Sequence, residues 1–251
     1  MNPIILIPAR LGASRLPGKP LALIEGEPMI VHVWRAAVAA GLGPVAVAGA
    51  DAEIVATVRA AGGQAVLTDP DLPSGSDRTL AALKSLDPSC AHDVVINLQG
   101  DMPFVAAEVL TSCAGVLELE EECDIATVVS LEAAPEDRTN PDVVKAIMAL
   151  APGARSGRAL YFTRSTLYGV GPIWRHVGIY GYRRAALERF TAHPPSPLEQ
   201  RERLEQLRAL EMGLSIWAAV VTTAPLSVDT PDDLAAARAV AAGTPALKGR
   251  Q

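Results

Sequence analysis

The chain has 251 residues, 49% hydrophobic and 20% charged, so it can form a substantial core and is not a disordered protein. Its 22 basic and 28 acidic residues give a net charge of −6, which argues against a general nucleic-acid binder. No uncharged run reaches the length of a membrane span, and the first residues lack the basic region of a signal peptide. We therefore expect a cytoplasmic protein with neither nucleic acid nor membrane among its partners.

Short apolar runs alternate with segments of helical periodicity through the first half of the chain. Helices are predicted from Pro28, after a capping Asp51, and over about 77–86. The predicted strands are residues 3–8, 45–48, 65–68 and 93–98. This order predicts a parallel sheet with helices on both faces.

The second half of the chain is richer in strands. The predicted strands there are residues 125–130, 143–149, 159–163, 178–182 and 214–222. One charged amphipathic helix is predicted over 197–212, and a last helix begins at Thr230 with a capping motif. No stretch resembles a linker, so we expect one domain with an inserted β-rich lobe.

The loop after the first predicted strand, RLGASRLPGKP over residues 10–20, is the most informative segment. It contains three cations, Arg10, Arg15 and Lys19, and two glycines. Glycines let backbone N–H groups approach phosphate oxygens, and arginine binds such oxygens in pairs. Ligands of open α/β sheets bind beyond the carboxyl ends of strands, where this loop lies. The pattern predicts a phosphate-binding loop, and its alternative is a solvated basic turn.

This loop matches neither of the two common phosphate-binding motifs. Gly12 and Gly18 are one residue too far apart for GxxxxGK[ST], and Pro20 stands where that motif has a magnesium-binding hydroxyl. A GxGxxG dinucleotide motif is absent, which argues against an NAD-dependent Rossmann enzyme.

Two aspartates follow strand-like runs elsewhere in the chain. Asp101, in NLQGD, comes after the predicted strand 93–98, and Asp229, in SVDT, ends a later run. Mg²⁺ favours one or two carboxylates together with substrate phosphates, so both are candidate Mg²⁺ ligands. The alternatives are an ordinary turn aspartate at 101 and a helix cap at 229.

Ten segments, in order from about residue 4 to residue 234, carry a resemblance. They are IPARLGASRLPGKPL, PMIVHV, SGSDR, NLQGD, NPDVVKAI, ALYFTRS, RHVGIYGYR, PSPLE, LEQLR and VDTPDDL. They resemble the sugar-activating cytidylyltransferases, and within them the branch that uses 3-deoxy-D-manno-octulosonate (Kdo).

The resemblance implies transfer of CMP from CTP to the anomeric hydroxyl of Kdo with Mg²⁺, for lipopolysaccharide or related Kdo-glycan synthesis. It implies a homodimer and a Rossmann-like α/β nucleotidyltransferase fold with a mostly parallel sheet and an inserted β-rich lobe. Within one domain, 1–251, it implies a nucleotide-binding half over about 1–120 and a sugar-binding and dimerisation lobe over about 121–225. A returning helix and tail would follow over 226–251.

The resemblance also implies a role for each of twelve residues. The catalytic residues are Lys19, Asp101 and Asp229, of which the two aspartates bind Mg²⁺. The nucleotide-binding residues are Arg10, Arg15, Lys19, Ser74 and Arg78. The sugar-binding residues are Gln99, Arg164, His176, Tyr180 and Glu205. Taken alone, Arg164 and Glu205 could be surface charges, and His176 and Tyr180 satisfied internal residues.

The chain departs from the family pattern at three places. Met102 stands where relatives commonly carry an acidic residue, SGSDR replaces SGTDR, and the segment 165–174 is short where relatives often have a longer acidic loop. The short segment belongs to the sugar side. Three alternatives stay open. The acceptor could be another acid sugar of sialic-acid or Kdo-analogue type, the transferred group could be uridylyl or guanylyl, or the chain could be a non-catalytic nucleotide-binding module.

Overall fold

The computed structural model describes residues 1–12, 15–131 and 134–243. The strands are Pro3–Ala9 (β1), Leu23–Ile24 (β2), Glu27–Pro28 (β3), Val45–Gly49 (β4), Gln64–Leu67 (β5), Val94–Asn97 (β6), Ile125–Ser130 (β7), Lys145–Ala149 (β8), Ser156–Thr163 (β9), Trp174–Arg183 (β10) and Ile216–Val221 (β11). The α-helices are Met29–Ala39 (α1), Ala52–Ala60 (α2), Gly75–Leu86 (α3), Ala107–Leu119 (α4), Arg184–Ala192 (α5), Pro197–Glu202 (α6), Gln206–Glu211 (α7) and Pro231–Ala241 (α8). None of these helices in the described part of the chain is long and apolar enough to cross a membrane.

The chain divides into two compact units. The first unit consists of Ile4–Ala91, Asn97–Ala107 and the segment from Pro225 onward. The second unit consists of Met1–Pro3, His92–Ile96 and Glu108–Ala224. The single-domain organisation with divisions near 120 and 225 stays a prediction, and the predicted tail after residue 243 lies outside the described residues.

The first unit is built on parallel strands. β1 pairs with β4 and β4 with β5, both in parallel, in the register Ile7↔Val47 and Ala48↔Val66. The helices α1 and α2 pack against β4, and β2 and β3 form a small antiparallel hairpin. β1 is almost entirely buried, as its apolar sequence predicts, so the loop that follows it starts from a fixed point.

The second unit contains five strands that pair in a closed ring. β7 is antiparallel to β10 and parallel to β11, while β9 is antiparallel to both β11 and β8. β8 closes the ring by a short antiparallel pairing with β10, Arg175↔Lys145 and Trp174↔Ala146. A register shift between Val177 and Tyr180 bends β10 away from regular pairing with β7.

The prediction of one helix over 197–212 is wrong. The chain forms α6 and α7, separated at Arg203, whose φ of +56° is left-handed. The Leu204 N–H donates to the Glu199 carbonyl across this break. The apolar spacing continues because Leu204 and Leu207 are buried on either side of the break, so periodicity alone did not reveal it. α4 and α5 were not predicted.

Candidate active site

The candidate phosphate loop is closed by its own backbone. Gly18 has a left-handed φ of +70°, and its N–H donates to the Leu11 carbonyl at 3.0 Å. The Leu11 N–H donates in turn to Asp51 Oδ2 at 2.9 Å. Asp51 occupies the N-cap position of α2, as predicted, but its side chain makes no cap hydrogen bond and instead holds the loop. Lys19 therefore lies directly after a hydrogen-bonded turn, as the first residue of a short 3₁₀ helix.

An apolar cluster within the first unit supports both Lys19 and Asp229. Its buried members are Ile24, Met29, Val228, Leu234 and Ala237, and Leu16 and Phe104 pack against them. Val228 immediately precedes Asp229, and its N–H donates to the Asp101 carbonyl at 2.9 Å. The backbones that carry the two candidate aspartates are therefore hydrogen-bonded to each other.

The three predicted catalytic side chains meet. Lys19 Nζ lies 2.8 Å from Asp101 Oδ2 and 2.9 Å from Asp229 Oδ1, so the ammonium bridges the two carboxylates. Arg15 Nη2 lies 3.2 Å from Asp229 Oδ2 and is mostly exposed. The Lys19 and Asp101 side chains are only 15% and 19% exposed, so their ion pair is shielded from solvent far more than a surface pair.

The bridge does not fully compensate the charge of Asp101. Burial raises the pKa of Asp101 above its ordinary value although Lys19 acts to lower it, and Asp229 adds to the rise. Burial also acts to lower the pKa of Lys19, but the two carboxylates outweigh it and raise this pKa. Asp101 Oδ1 is buried without a hydrogen-bond partner among the described residues. Two carboxylates with a free buried oxygen fit a hard cation such as Mg²⁺.

The alternative role of Asp229 as a helix cap is wrong. Thr230 caps α8: the Asp233 N–H donates to Thr230 Oγ1 at 3.2 Å, and the Thr230 N–H donates to Asp233 Oδ2 at 2.8 Å. Asp233 Oδ2 also accepts the Asp229 N–H at 3.0 Å. The capping box thus holds the backbone of Asp229 and leaves its carboxylate free to face Lys19.

Replacing Thr230 by alanine is expected to lower the free energy of unfolding by about 1 kcal/mol, because the Asp233 N–H loses its acceptor. Denaturant titration with a valine variant beside the alanine variant measures this loss. Equal stability of the parent and both variants would show that the cap contributes nothing.

The predicted nucleotide-binding residues line one cavity of about 420 Å³ in the first unit. Its lining includes Arg10, Arg15, Lys19, Ser74, Arg78, Asp101 and Asp229, and also Gln99, which was predicted to bind the sugar. Ser74 is the N-cap of α3, where its Oγ accepts the Asp77 N–H at 3.2 Å. The start of α3 therefore reaches the cavity, and a helix N-terminus favours anions.

Arg78 is an internal support of the cavity wall. It is 3% exposed, and its Nη1 donates to Thr68 Oγ1 at 2.6 Å and to the Asp69 carbonyl at 2.9 Å. Burial lowers the pKa of Arg78, and the nearby charge of Arg10 lowers it further. Two cations held close together favour an anionic ligand between them.

Three of the four other predicted sugar residues lie together in the second unit. The rings of His176 and Tyr180 are 5.6 Å apart, and Phe162 lies 4.9 Å from His176. Burial raises the pKa of Tyr180, and the charges of Tyr182 and then Glu205 raise it further. The Glu205 carboxylate also pairs with Arg208 at 3.1 Å. The aromatic rings and the carboxylate therefore belong to one partly buried cluster.

The hydrogen bonds around Thr127 fix the tautomer of His176. Thr127 Oγ1 donates to the Ile179 carbonyl at 2.8 Å, so its contact of 2.9 Å with His176 Nε2 is one in which the imidazole donates. Burial lowers the pKa of His176 to about 3, so the ring is neutral near pH 7. Its Nδ1 is then an acceptor.

The unfolding free energy is expected to fall as the pH drops from about 6.5 toward 3, partly because of His176. The unfolded chain binds a proton there near its ordinary pKa of 6.5, whereas the folded chain binds it only near 3. Chemical denaturation across this range should show a shallower decline in His176→Gln than in the parent. The exposed His193 provides the control, and His193→Gln should keep the parent slope; an unchanged slope in His176→Gln would contradict the assignment.

Arg164 follows the end of β9 and is anchored at several atoms. Its Nη1 donates to the Pro141 carbonyl at 3.0 Å, and its N–H donates to Glu202 Oε2 at 3.1 Å. The guanidinium is thus held by the loop before β8 and is not a free surface charge.

Sequence reasoning missed the residues that shape the cavity without charge. Gly100 packs so close to β1 that a Cβ at this position would lie 3.0 Å from the Pro8 carbonyl oxygen, which leaves little room for a side chain. Leu72 and Pro73 form another part of the lining. The turn-rich run DLPSGS after the predicted strand 65–68 was the available signal for that wall.

Comparison with known proteins places the chain in a family. The cytidylyltransferase family profile matches residues 4–216. The chain belongs to the cytidylyltransferase family, so the prediction of a nucleotidyltransferase enzyme is confirmed.

Within that family, the relatives carry a more specific name. The 3-deoxy-manno-octulosonate cytidylyltransferase of Paramagnetospirillum magneticum is 55% identical over 241 residues, covering 96% of this chain and 98% of the relative. That of Rhodospirillum centenum is 56% identical over 240 residues, covering 95% and 93%. The resemblance to the Kdo branch is therefore confirmed.

Solved structures agree at the level of the fold. A CMP:2-keto-3-deoxy-manno-octonic acid synthetase complexed with CTP is 35% identical, with a TM-score of 0.87 and coverage of 97% of this chain and 99% of that one. A cytidylyltransferase from Leptospira borgpetersenii is 16% identical with a TM-score of 0.60 over 93% of this chain and 83% of that one, which shows the fold alone.

Proposed function

We propose that the chain transfers CMP from CTP to the anomeric hydroxyl of Kdo, giving CMP-Kdo and pyrophosphate. The observation that carries the proposal is the Lys19 bridge between Asp101 and Asp229 at a cavity lined by Arg10 and Arg78. A relative 55% identical is named for this activity.

The cationic wall of the cavity suits a nucleoside triphosphate. Arg10, Arg15 and Lys19 would neutralise the phosphate oxygens, and the first turn of α3 offers backbone N–H groups beside Ser74. When the sugar hydroxyl oxygen attacks the α-phosphorus, the bond from that phosphorus to the β-phosphate oxygen breaks and pyrophosphate leaves. The hydroxyl proton passes to solvent. Negative charge grows on the leaving pyrophosphate, where the lysine and arginines stabilise it.

Asp101 and Asp229 would hold Mg²⁺. A bound ion would supply positive charge to the phosphates and would lower the pKa of the attacking hydroxyl. Asp101 Oδ1 has no hydrogen-bond partner among the described residues, so it can bind the ion. The backbone of Asp229 is fixed because its N–H donates to Asp233 Oδ2. In-line transfer then depends on positioning rather than on a covalent intermediate.

Four side chains of the second unit would hold the acid sugar, and Gln99, which lines the cavity of the first unit, stays a separately predicted sugar-binding residue. The Arg164 guanidinium suits the sugar carboxylate, because arginine binds carboxylate oxygens in pairs. His176 Nδ1 and the Tyr180 hydroxyl suit sugar hydroxyls, and Glu205 adds an acceptor.

The wider assignment follows from the same activity. We propose a cytoplasmic homodimer that acts in lipopolysaccharide or related Kdo-glycan synthesis. In its architecture, a mostly parallel sheet would belong to the nucleotide-binding half, and an inserted lobe over about 121–225 would bind the sugar and form the dimer.

Pyrophosphate release with CTP, Mg²⁺ and Kdo, omitting each in turn, tests the proposal. Release that requires all three supports it, and a panel of UTP, GTP and ATP should give at least about a hundredfold lower kcat/KM. Release with a sialic acid instead of Kdo would move the assignment to the alternative acceptor. Tight CTP binding without release in any mixture would favour a non-catalytic nucleotide-binding module.

A further inference from the structure

Lys145 is a fully buried lysine that the proposed reaction does not use. It lies in β8 at the point where that strand pairs with both neighbours, opposite Thr163 of β9 and Arg175 of β10. Its residue exposure is 0%, which is rare for a lysine because its ammonium loses its hydration on burial. Burial of this ammonium therefore requires hydrogen-bond acceptors around it.

The Lys145 ammonium joins two main-chain carbonyl groups. Nζ donates to the Asn140 carbonyl at 2.8 Å and to the Arg164 carbonyl at 3.0 Å. Asn140 precedes Pro141, whose carbonyl accepts the Arg164 guanidinium at 3.0 Å. Lys145 thus ties the backbone of Arg164 to the loop that holds the Arg164 side chain.

Glu202 of α6 binds the peptide group on the N-terminal side of Arg164. Its Oε2 accepts the Arg164 N–H at 3.1 Å and the Thr163 hydroxyl at 3.3 Å. The backbone N–H and the carbonyl of Arg164 are therefore each bound by a charged side chain, and its guanidinium donates to the Pro141 carbonyl.

We propose that Lys145 and Glu202 are positioning residues that clamp the main chain of Arg164 and so present its guanidinium to the carboxylate of the acid sugar. This inference rests on the proposed function, since it needs Arg164 to bind the sugar. Because the main chain of Arg164 and the loop that accepts its guanidinium are fixed before the sugar binds, less conformational entropy is lost on binding.

The positive charges of Lys145 and Arg164 have negative charges close to them. Burial lowers the pKa of Lys145, and the Arg164 guanidinium lowers it further, while Asp137 and Glu202 act in the opposite direction. The two cations therefore have two carboxylates close by, and the cluster carries no large excess of either sign.

Steady-state pyrophosphate release by Lys145→Met and Glu202→Ala tests the clamp. Each variant is expected to raise the KM for Kdo by about tenfold, with the KM for CTP within about twofold of the parent. Glu202→Gln keeps an acceptor oxygen for the Arg164 N–H and is expected to recover most of the parent KM. Leu187→Ala, a buried change in α5 of the same unit, is the control for destabilisation alone and should leave the KM for Kdo unchanged.

The outcomes are separable from those of the proposed function. If the parent enzyme makes no CMP-Kdo, the proposed function fails. If the parent is active and both folded variants keep the parent KM for Kdo, the clamp is overturned. Should Lys145→Met fail to fold, Glu202→Ala alone decides, because Glu202 is only partly buried. Equal rises in both KM values would mean a merely structural role and would also overturn the clamp.

Discussion

Replacing Asp101 by asparagine is expected to lower kcat/KM for CMP transfer by about a thousandfold or more, with the protein still folded. The amide keeps the shape of the carboxylate but removes the charge that faces Lys19 at 2.8 Å. It also neutralises the side chain whose buried Oδ1 is the proposed cation ligand. Turnover measured across a Mg²⁺ titration reports both effects, and a raised Mg²⁺ requirement is expected in whatever activity remains.

Asp232→Asn is the matched control, since this exposed aspartate lies in the first turn of α8, three residues from Asp229. It should keep parent kinetics, whereas Asp229→Asn should lose activity as Asp101→Asn does. An Asp101→Asn variant within tenfold of the parent at every Mg²⁺ concentration would remove Asp101 from the mechanism.

Replacing Lys19 by methionine is expected to lower kcat/KM for CTP by about a hundred- to a thousandfold, because a charge at the phosphates is lost. The same change leaves two carboxylates facing each other without their bridging ammonium. Both carboxylates remain, so the Mg²⁺ requirement should stay close to that of the parent. This separates Lys19→Met from Asp101→Asn.

Lys84→Met removes an exposed lysine from α3 in the same unit and serves as the control. It should behave like the parent in both CTP kinetics and stability. Normal CTP kinetics in Lys19→Met would instead return the segment 10–20 to a solvated basic turn.

The sequence predicted elements best where their pattern was strictly local. The apolar run of β1 and the capping box of α8 were both recognisable, because burial and capping depend on a few adjacent residues. The break at Arg203 was not recognisable, because it occurs at a residue that is neither glycine nor proline and the apolar spacing runs through it.

The site was predictable in its residue types but not in its contacts. Lys19, Asp101 and Asp229 were each suggested by a loop after a strand, yet they are separated by 82 and 210 positions from the lysine. No local pattern states that one ammonium bridges both carboxylates. Asp51 shows the same limit: its position predicted a helix cap, while its carboxylate holds the Leu11 N–H instead.

Two labels followed from CTP through the reaction with Kdo and Mg²⁺ test nucleotidyl transfer by this chain. With CTP labelled at the α-phosphate, the label is expected in CMP-Kdo; with CTP labelled at the γ-phosphate, it is expected in pyrophosphate. Both transfers should disappear in Asp101→Asn. Label from the γ-phosphate on the sugar, or bound CTP that is never cleaved, would contradict nucleotidyl transfer as the function of this chain.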